Sequence, residues 1–119
     1  MTVRNYSVVS DRVGVKVVKW SGLENGDTGQ WYEWADAYPD KCFHVFGTFG
    51  TGGSVSLEGT CEEVAAPEHP LVLNDTTGLP LTKTAEALKQ VAESPTQMRP
   101  NVTAGDANTS LTVYLTMRS

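Results

Sequence analysis

Apolar and polar residues alternate with a period of two through most of this chain, as in strands that bury one face and wet the other. The stretch from Phe43 to Thr60, FHVFGTFGTGGSVSLEGT, carries the pattern most strongly. Phe43, Val45 and Phe49 alternate with His44 and Thr48, and Val55 and Leu57 alternate with Ser54, Ser56 and Glu58. Between them, Gly50-Thr51-Gly52-Gly53 offers the positive-φ positions of a tight reversal, so the stretch reads as a central β-hairpin. Two registers compete. With Phe49 opposite Val55, the residues Phe43, Val45, Val55 and Leu57 share one face and Phe43 lies opposite Cys61. With Phe49 opposite Ser54, Cys42 faces Cys61, and Phe46, Val55 and Leu57 share the buried side. The first hides more apolar surface and leaves Ser54, Ser56 and Glu58 in water, so it is preferred.

Two further strands are clear. Val13 to Trp20 sets Val13, Val15 and Val17 on one face and Lys16, Val18 and Trp20 on the other. Ser110 to Arg118 points Leu111, Val113, Leu115 and Met117 inward and Thr112, Tyr114, Thr116 and Arg118 outward. In the turn-rich segment Ser21 to Gln30, a reversal at Asn25-Gly26 would place Trp20 opposite Trp31 as a cross-strand pair. Trp31 to Trp34 then forms a short strand or an aromatic loop. Leu71-Val72-Leu73 is a short strand closed by Asn74, Asp75 and Gly78, and Met98 to Thr103 is a strand whose Pro100 suits a sheet edge. Glu62 to Pro70 is a proline-punctuated surface loop. The helical candidate is Thr82 to Glu93, capped by Thr84, with Glu86 in its first turn, Leu88 and Val91 on one side, and Ser94-Pro95 as a stop. Residues 1–12 carry Val3, Tyr6, Val8 and Val9 among polar neighbours, as an edge strand or an arm that orders on a partner. The expected architecture is all-β: an antiparallel β-sandwich of jelly-roll type with one short helix, residues 1–12 as arm or edge strand and 13–119 as the sandwich domain.

Composition narrows the function classes. A chain of 119 residues can bury roughly two-thirds of its unfolded surface without a metal or disulfide framework. A net charge of −5, with Lys and Arg scattered, argues against nucleic acid and anionic membrane as partners. No run approaches the roughly 18 apolar residues of a membrane span. MTVRNYSVVSDR lacks the apolar stretch of a secretory signal, and two cysteines make no scaffold, which suits folding in a reducing cytoplasm.

Candidate chemistry is thin. Asp27-Thr28-Gly29 matches the turn that presents one carboxylate of an aspartic-protease dyad, but Glu24-Asn25-Gly26 leads into it where an apolar strand should. A solvated surface turn explains it better. Cys42, His44, Cys61 and His69 lack the ligand spacing of a zinc site, and a Cys42–Cys61 disulfide needs the less favoured register. Gly47 to Gly53 has neither the lysine nor the following helix of a phosphate loop. Sequons at Asn5, Asn74, Asn101 and Asn108 read as Thr/Ser-rich β loops. The aromatic cluster Trp20, Trp31, Tyr32, Trp34 and Tyr38 reads first as core; its functional reading is an interface anchor or a sugar-stacking platform. No catalytic residue, cofactor or metal is expected.

The order GLENGDTG, YPDKCFHVFGTFGTGGSVSLEGT, LVLNDTTGLPL, AEALKQV, MRPNVTAGD and a terminal alternating strand resembles the small β-sandwich decoration, or cement, proteins of tailed-bacteriophage capsids. The resemblance spans about Leu23 to Met117 and rests on glycines, turns and alternation. It implies a structural protein on the capsid exterior, folded in the host cytoplasm, bound to the major capsid protein and associating as a dimer or trimer. On that reading the partner-binding residues are Val3, Tyr6 and Val8 with Trp31, Trp34 and Tyr38 of the aromatic loop. The rival from another class is a carbohydrate- or receptor-binding sandwich of a fibre or tail that stacks sugars on Trp31 and Trp34. A dimeric aspartic protease using Asp27 is the third.

Overall fold

The computed structural model describes residues 2–119; Met1, first residue of the expected arm, lies outside them. The described residues form eleven strands in two facing sheets. One sheet contains β1 (Val3–Arg4), β4 (Thr28–Gly29), β10 (Gln97–Ala104), β6 (Ser54–Thr60) and β7 (Leu71–Val72) in that order, with β8 (Thr82–Lys83) also paired to β6. The other runs β2 (Tyr6–Arg12), β3 (Val15–Leu23), β11 (Ser110–Arg118), β5 (Asp40–Thr48) and β9 (Ala87–Gln90). Pairing is antiparallel except between β1 and β4. The fold is therefore an antiparallel β-sandwich of jelly-roll type, as the alternation predicts.

Its core comes from both inner faces. Val18, Trp20, Phe43, Val45, Leu111, Val113, Leu115 and Met117 line one sheet, and Val55, Leu57, Met98 and Val102 the other; all are buried. Burying side chains of this size is the main favourable term, at about 1.5–3 kcal/mol each.

Phe43 to Thr60 is not a hairpin. β5 lies in one sheet and β6 in the other, and the glycine loop carries the chain across the sandwich. Phe43, Val45, Val55 and Leu57 are all buried, but they meet across the core instead of sharing one sheet face. Phe46 is on the outer face, stacked on Tyr114 at 5.9 Å. The loop is too tight for side chains: a Cβ at Gly53 would lie 1.9 Å from the Phe49 carbonyl oxygen, and Gly50 has φ +72°. Nor are the polar positions of β6 in water. Ser56 is buried against the Thr82 hydroxyl at 2.8 Å, and Glu58 accepts from Arg99 at 3.1 Å.

Three other expectations change. Thr82 to Glu93 forms no helix; β8 pairs with β6 and β9 with β5, so neighbouring strands supply the hydrogen bonds that a helix would have made internally. The helical turn present is a 3₁₀ turn at Ala35–Ala37. Trp20 lies opposite Val113 and Tyr6, not Trp31. Pro100 sits inside the sheet, between β6 and the short β4. Its partner Leu57 points its own N–H at Leu81, so Pro100 occupies a non-hydrogen-bonded pair and its missing N–H leaves no gap toward β6.

Residues 3–12 form the first edge of both sheets. Asp27 clamps them there: its carboxylate accepts from Arg4 Nε at 2.8 Å, Glu24 N at 2.9 Å and Thr2 N at 3.2 Å. The expectation of a solvated turn is corrected at this point, because Asp27 is 4% exposed. Burial pushes its carboxyl pKa up, but the Arg4 bond and the two backbone N–H groups outweigh that and leave it lowered. The Asp27 carboxylate is thus committed to a guanidinium.

Candidate functional site

Most polar clusters in the molecule are internal clasps, and the exception lies at one end of the sandwich. There the chain leaves β4 and is pinned to the start of β10. Tyr32 N donates to Met98 O at 2.8 Å, Met98 N to Tyr32 O at 3.1 Å, and Ala35 N to Thr96 O at 3.1 Å. Tyr32 and Ala35 are buried by these contacts, so Glu33 and Trp34 between them are pushed outward. Trp34 is 68% exposed, unusual for a side chain of that size.

A second wall comes from the loop after β6. Glu62 organises it: its carboxylate accepts from His69 N at 2.7 Å, Glu68 N at 3.0 Å and Thr60 Oγ1 at 3.2 Å. The His69 and Glu68 N–H groups and these side-chain bonds hold the Glu62 carboxyl below its usual range despite partial burial. Between the walls lie two adjoining grooves of about 400 Å³ each, both touching Glu33 and Ala65. Glu33, Trp34, Asp36, Glu63, Thr96 and Gln97 line one. Val3, Trp31, Pro67 and Arg99 help line the other.

Two buried polar atoms lack a partner among the described residues, Thr28 Oγ1 and Gln97 Oε1. Thr28 lines neither groove, whereas Gln97 is in the first. Gln97 Nε2 donates to the carbonyls of Glu62 at 2.8 Å and Val64 at 2.9 Å. Two acceptors at that atom fix which end of the amide is nitrogen, and so leave Oε1 as the orphan. An unpaired buried acceptor costs about 1–3 kcal/mol. Behind the aromatic loop the buried Lys41 ammonium donates to Tyr38 O at 2.5 Å and Ser94 Oγ at 3.4 Å. Burial lowers its pKa, with Asp36 and Asp40 pulling the other way.

The residues expected to bind a partner separate into groups. Val3 and Trp31 share one groove and Trp34 lines its neighbour. Tyr6 is half-buried, edge-on to Trp20 at 5.9 Å and Tyr32 at 5.5 Å, and Tyr38 packs on the core. Val8 is exposed on β2 and lines neither groove. Sequence reasoning missed Gln97, Asp36 and Glu63, because nothing local distinguishes them from surface residues. It also missed the exposed Leu71 and Val72 of β7, Leu88 of β9, and Leu79 in the loop before β8. Cys42 and Cys61 are free thiols. Among the described residues no three His, Cys, Asp or Glu side chains converge as a metal site, and no helix is long and apolar enough to cross a membrane.

Fold and site together define the class, a jelly-roll β-sandwich with two open, partly aromatic grooves at one end. No protein-family model and no curated protein matches the sequence. The architecture is shared with solved structures, two of which are these. The SPBc2 prophage-derived protein YomS superposes over 95% of this chain and 100% of its own, with TM-score 0.62 and 11% identity. A cupin domain from Bordetella pertussis Tohama I superposes over 96% of this chain and 91% of its own, with TM-score 0.53 and 15% identity. At these identities the likeness is one of fold.

Proposed function

We propose that this chain is a structural virion protein that binds the outer surface of a phage capsid and bridges neighbouring major capsid subunits. The observation that carries the reading is the pair Val3 and Trp34, apolar side chains exposed at the rims of two open grooves and left without a cover. Aromatic residues of this kind are the usual anchors of protein contacts. The fold shared with a prophage-derived protein adds support at the level of architecture. Copies, as dimers or trimers, act by adhesion: each contact is weak, and repetition over a shell adds them through effective concentration. Co-sedimentation with assembled capsids tests this. Wild-type protein is expected to pellet with the shells, and Val3→Glu combined with Trp34→Ala to stay in the supernatant; equal pelleting of both would sink the reading.

A second reading, a carbohydrate- or receptor-binding module of a fibre or tail, is favoured by one observation: the exposed Trp34 ring stands beside hydrogen-bonding groups of Glu33, Asp36 and Thr96. Glycan-array binding that disappears in a folded Trp34→Ala variant would establish it in place of the first.

A further inference from the structure

We infer that the Trp34 groove receives an arginine side chain projecting from a protein partner. The inference deepens the adhesive reading by naming what is recognised, and rests on it only in assigning the arginine to a protein.

The groove is lined by acceptors. Glu33, Asp36 and Glu63 contribute three carboxylates, and none of them takes part in an ion pair within the described residues. The nearby Lys41 ammonium does not neutralise them directly, being buried and donated to Tyr38 O and Ser94 Oγ. Gln97, 3% exposed, also lines the groove and keeps an oxygen that no donor of this chain satisfies; that oxygen is closed to solvent, so a ligand N–H reaches it only when the side chain shifts. Beside these acceptors stands the largely exposed indole of Trp34. A ligand that supplies several N–H donors, positive charge and a flat face meets all three demands at once, and a guanidinium is that group.

The molecule holds a filled counterpart next door. In the adjoining groove the Arg99 guanidinium lies 4.4 Å from the centre of the Trp31 ring while its Nε donates to Glu58 at 3.1 Å. A tryptophan face, a carboxylate and a guanidinium therefore combine stably at this end of the sandwich. Trp34 shares its groove with carboxylates, and no cation stacks on its ring within the described residues.

The test uses the full chain and N-acetyl-arginine amide, followed by NMR at the Gln97 side-chain amide and the Trp34 indole N–H. Saturable shifts at both are expected, with affinity about tenfold weaker in Trp34→Ala, as loss of a desolvated cation–π contact implies. Glu63→Gln is expected to weaken binding in a salt-dependent way, and N-acetyl-lysine amide to bind several-fold more weakly than the arginine compound. Absence of saturable shifts, equal affinity for the lysine compound, or binding unchanged by both substitutions would overturn the inference. Saturation by a neutral oligosaccharide with no response to arginine would overturn it in favour of the sugar-stacking reading. Capsid pelleting separates the two proposals: arginine binding without capsid binding removes only the virion role, and capsid binding without arginine binding removes only this inference.

Discussion

Where the Phe49–Gly53 loop meets the turn after β10, the polar groups are used up. Asp106 accepts from Thr51 N and Asn108 N, each at 2.9 Å, and Thr109 Oγ1 donates to Phe49 O at 2.8 Å while accepting from Asp106 N at 2.9 Å. At the opposite end, Gln97 keeps an oxygen with no donor, three carboxylates form no ion pair within the described residues, and a tryptophan faces solvent. Both ends are loops closing the same two sheets, so the fold does not require the second arrangement. An end spent on internal bonds stabilises the chain; an end with unspent acceptors and an uncovered ring is what a binding surface looks like before its partner arrives.

Substitutions at the two ends should separate these roles. The largest effect is expected at the closed end, where Thr109→Val keeps the shape but strips both bonds from a buried hydroxyl. About 2–3 kcal/mol of unfolding free energy should be lost, read by urea denaturation; a loss as small as that of an ordinary surface substitution would erase the contrast.

Acid should act next. Backbone N–H groups, Thr51 first, hold the Asp106 carboxyl below its ordinary 3.8, and Asp27 is likewise lowered. A lowered folded pKa gives stability that is present above the ordinary value and lost as pH falls through the folded one. Thermal melts should therefore be flat toward neutrality, begin to fall below pH 4.5 where Glu62 contributes, and fall further below pH 3.8, the last part less steeply in Asp106→Asn.

Gln97→Met should cost only about 1 kcal/mol, because removing two donated bonds also removes the unpaired oxygen. A cost as large as that of Thr109→Val would mean the oxygen is satisfied after all. The smallest effect belongs to Trp34→Ala, within about 0.5 kcal/mol of wild type in the same denaturation assay, although the groove should lose its ligand.

What the sequence made legible follows from what alternation reports. A period of two says which residues face inward, and it was right for Leu111, Val113, Leu115 and Met117 and for Phe43, Val45, Val55 and Leu57. It says nothing about which strand lies alongside, so a glycine loop that crosses between sheets read as a hairpin. Thr82 to Glu93 misled for a related reason: Leu88 and Val91 are three apart, as on a helix, but Leu88 is exposed opposite His44 while Val91 is buried. Asp27 was missed as a clasp because its partner Arg4 lies 23 residues away. At the candidate site the exposed tryptophan was legible, since residue type alone suggested it. The Gln97 oxygen was not, because its isolation depends on where the carbonyls of Glu62 and Val64 come to rest.

The position of β11 in the middle of its sheet, flanked by β3 and β5, bears on how the protein is made. Until Ser110–Arg118 arrives, β3 is paired only with β2 and β5 only with the short β9, so a ribosome-bound fragment ending before that segment leaves this sheet in two pieces with two open edges. Assembly must wait for residue 118 to clear the exit tunnel. Until then the nascent polypeptide is a template for aggregation that a chaperone has reason to shield.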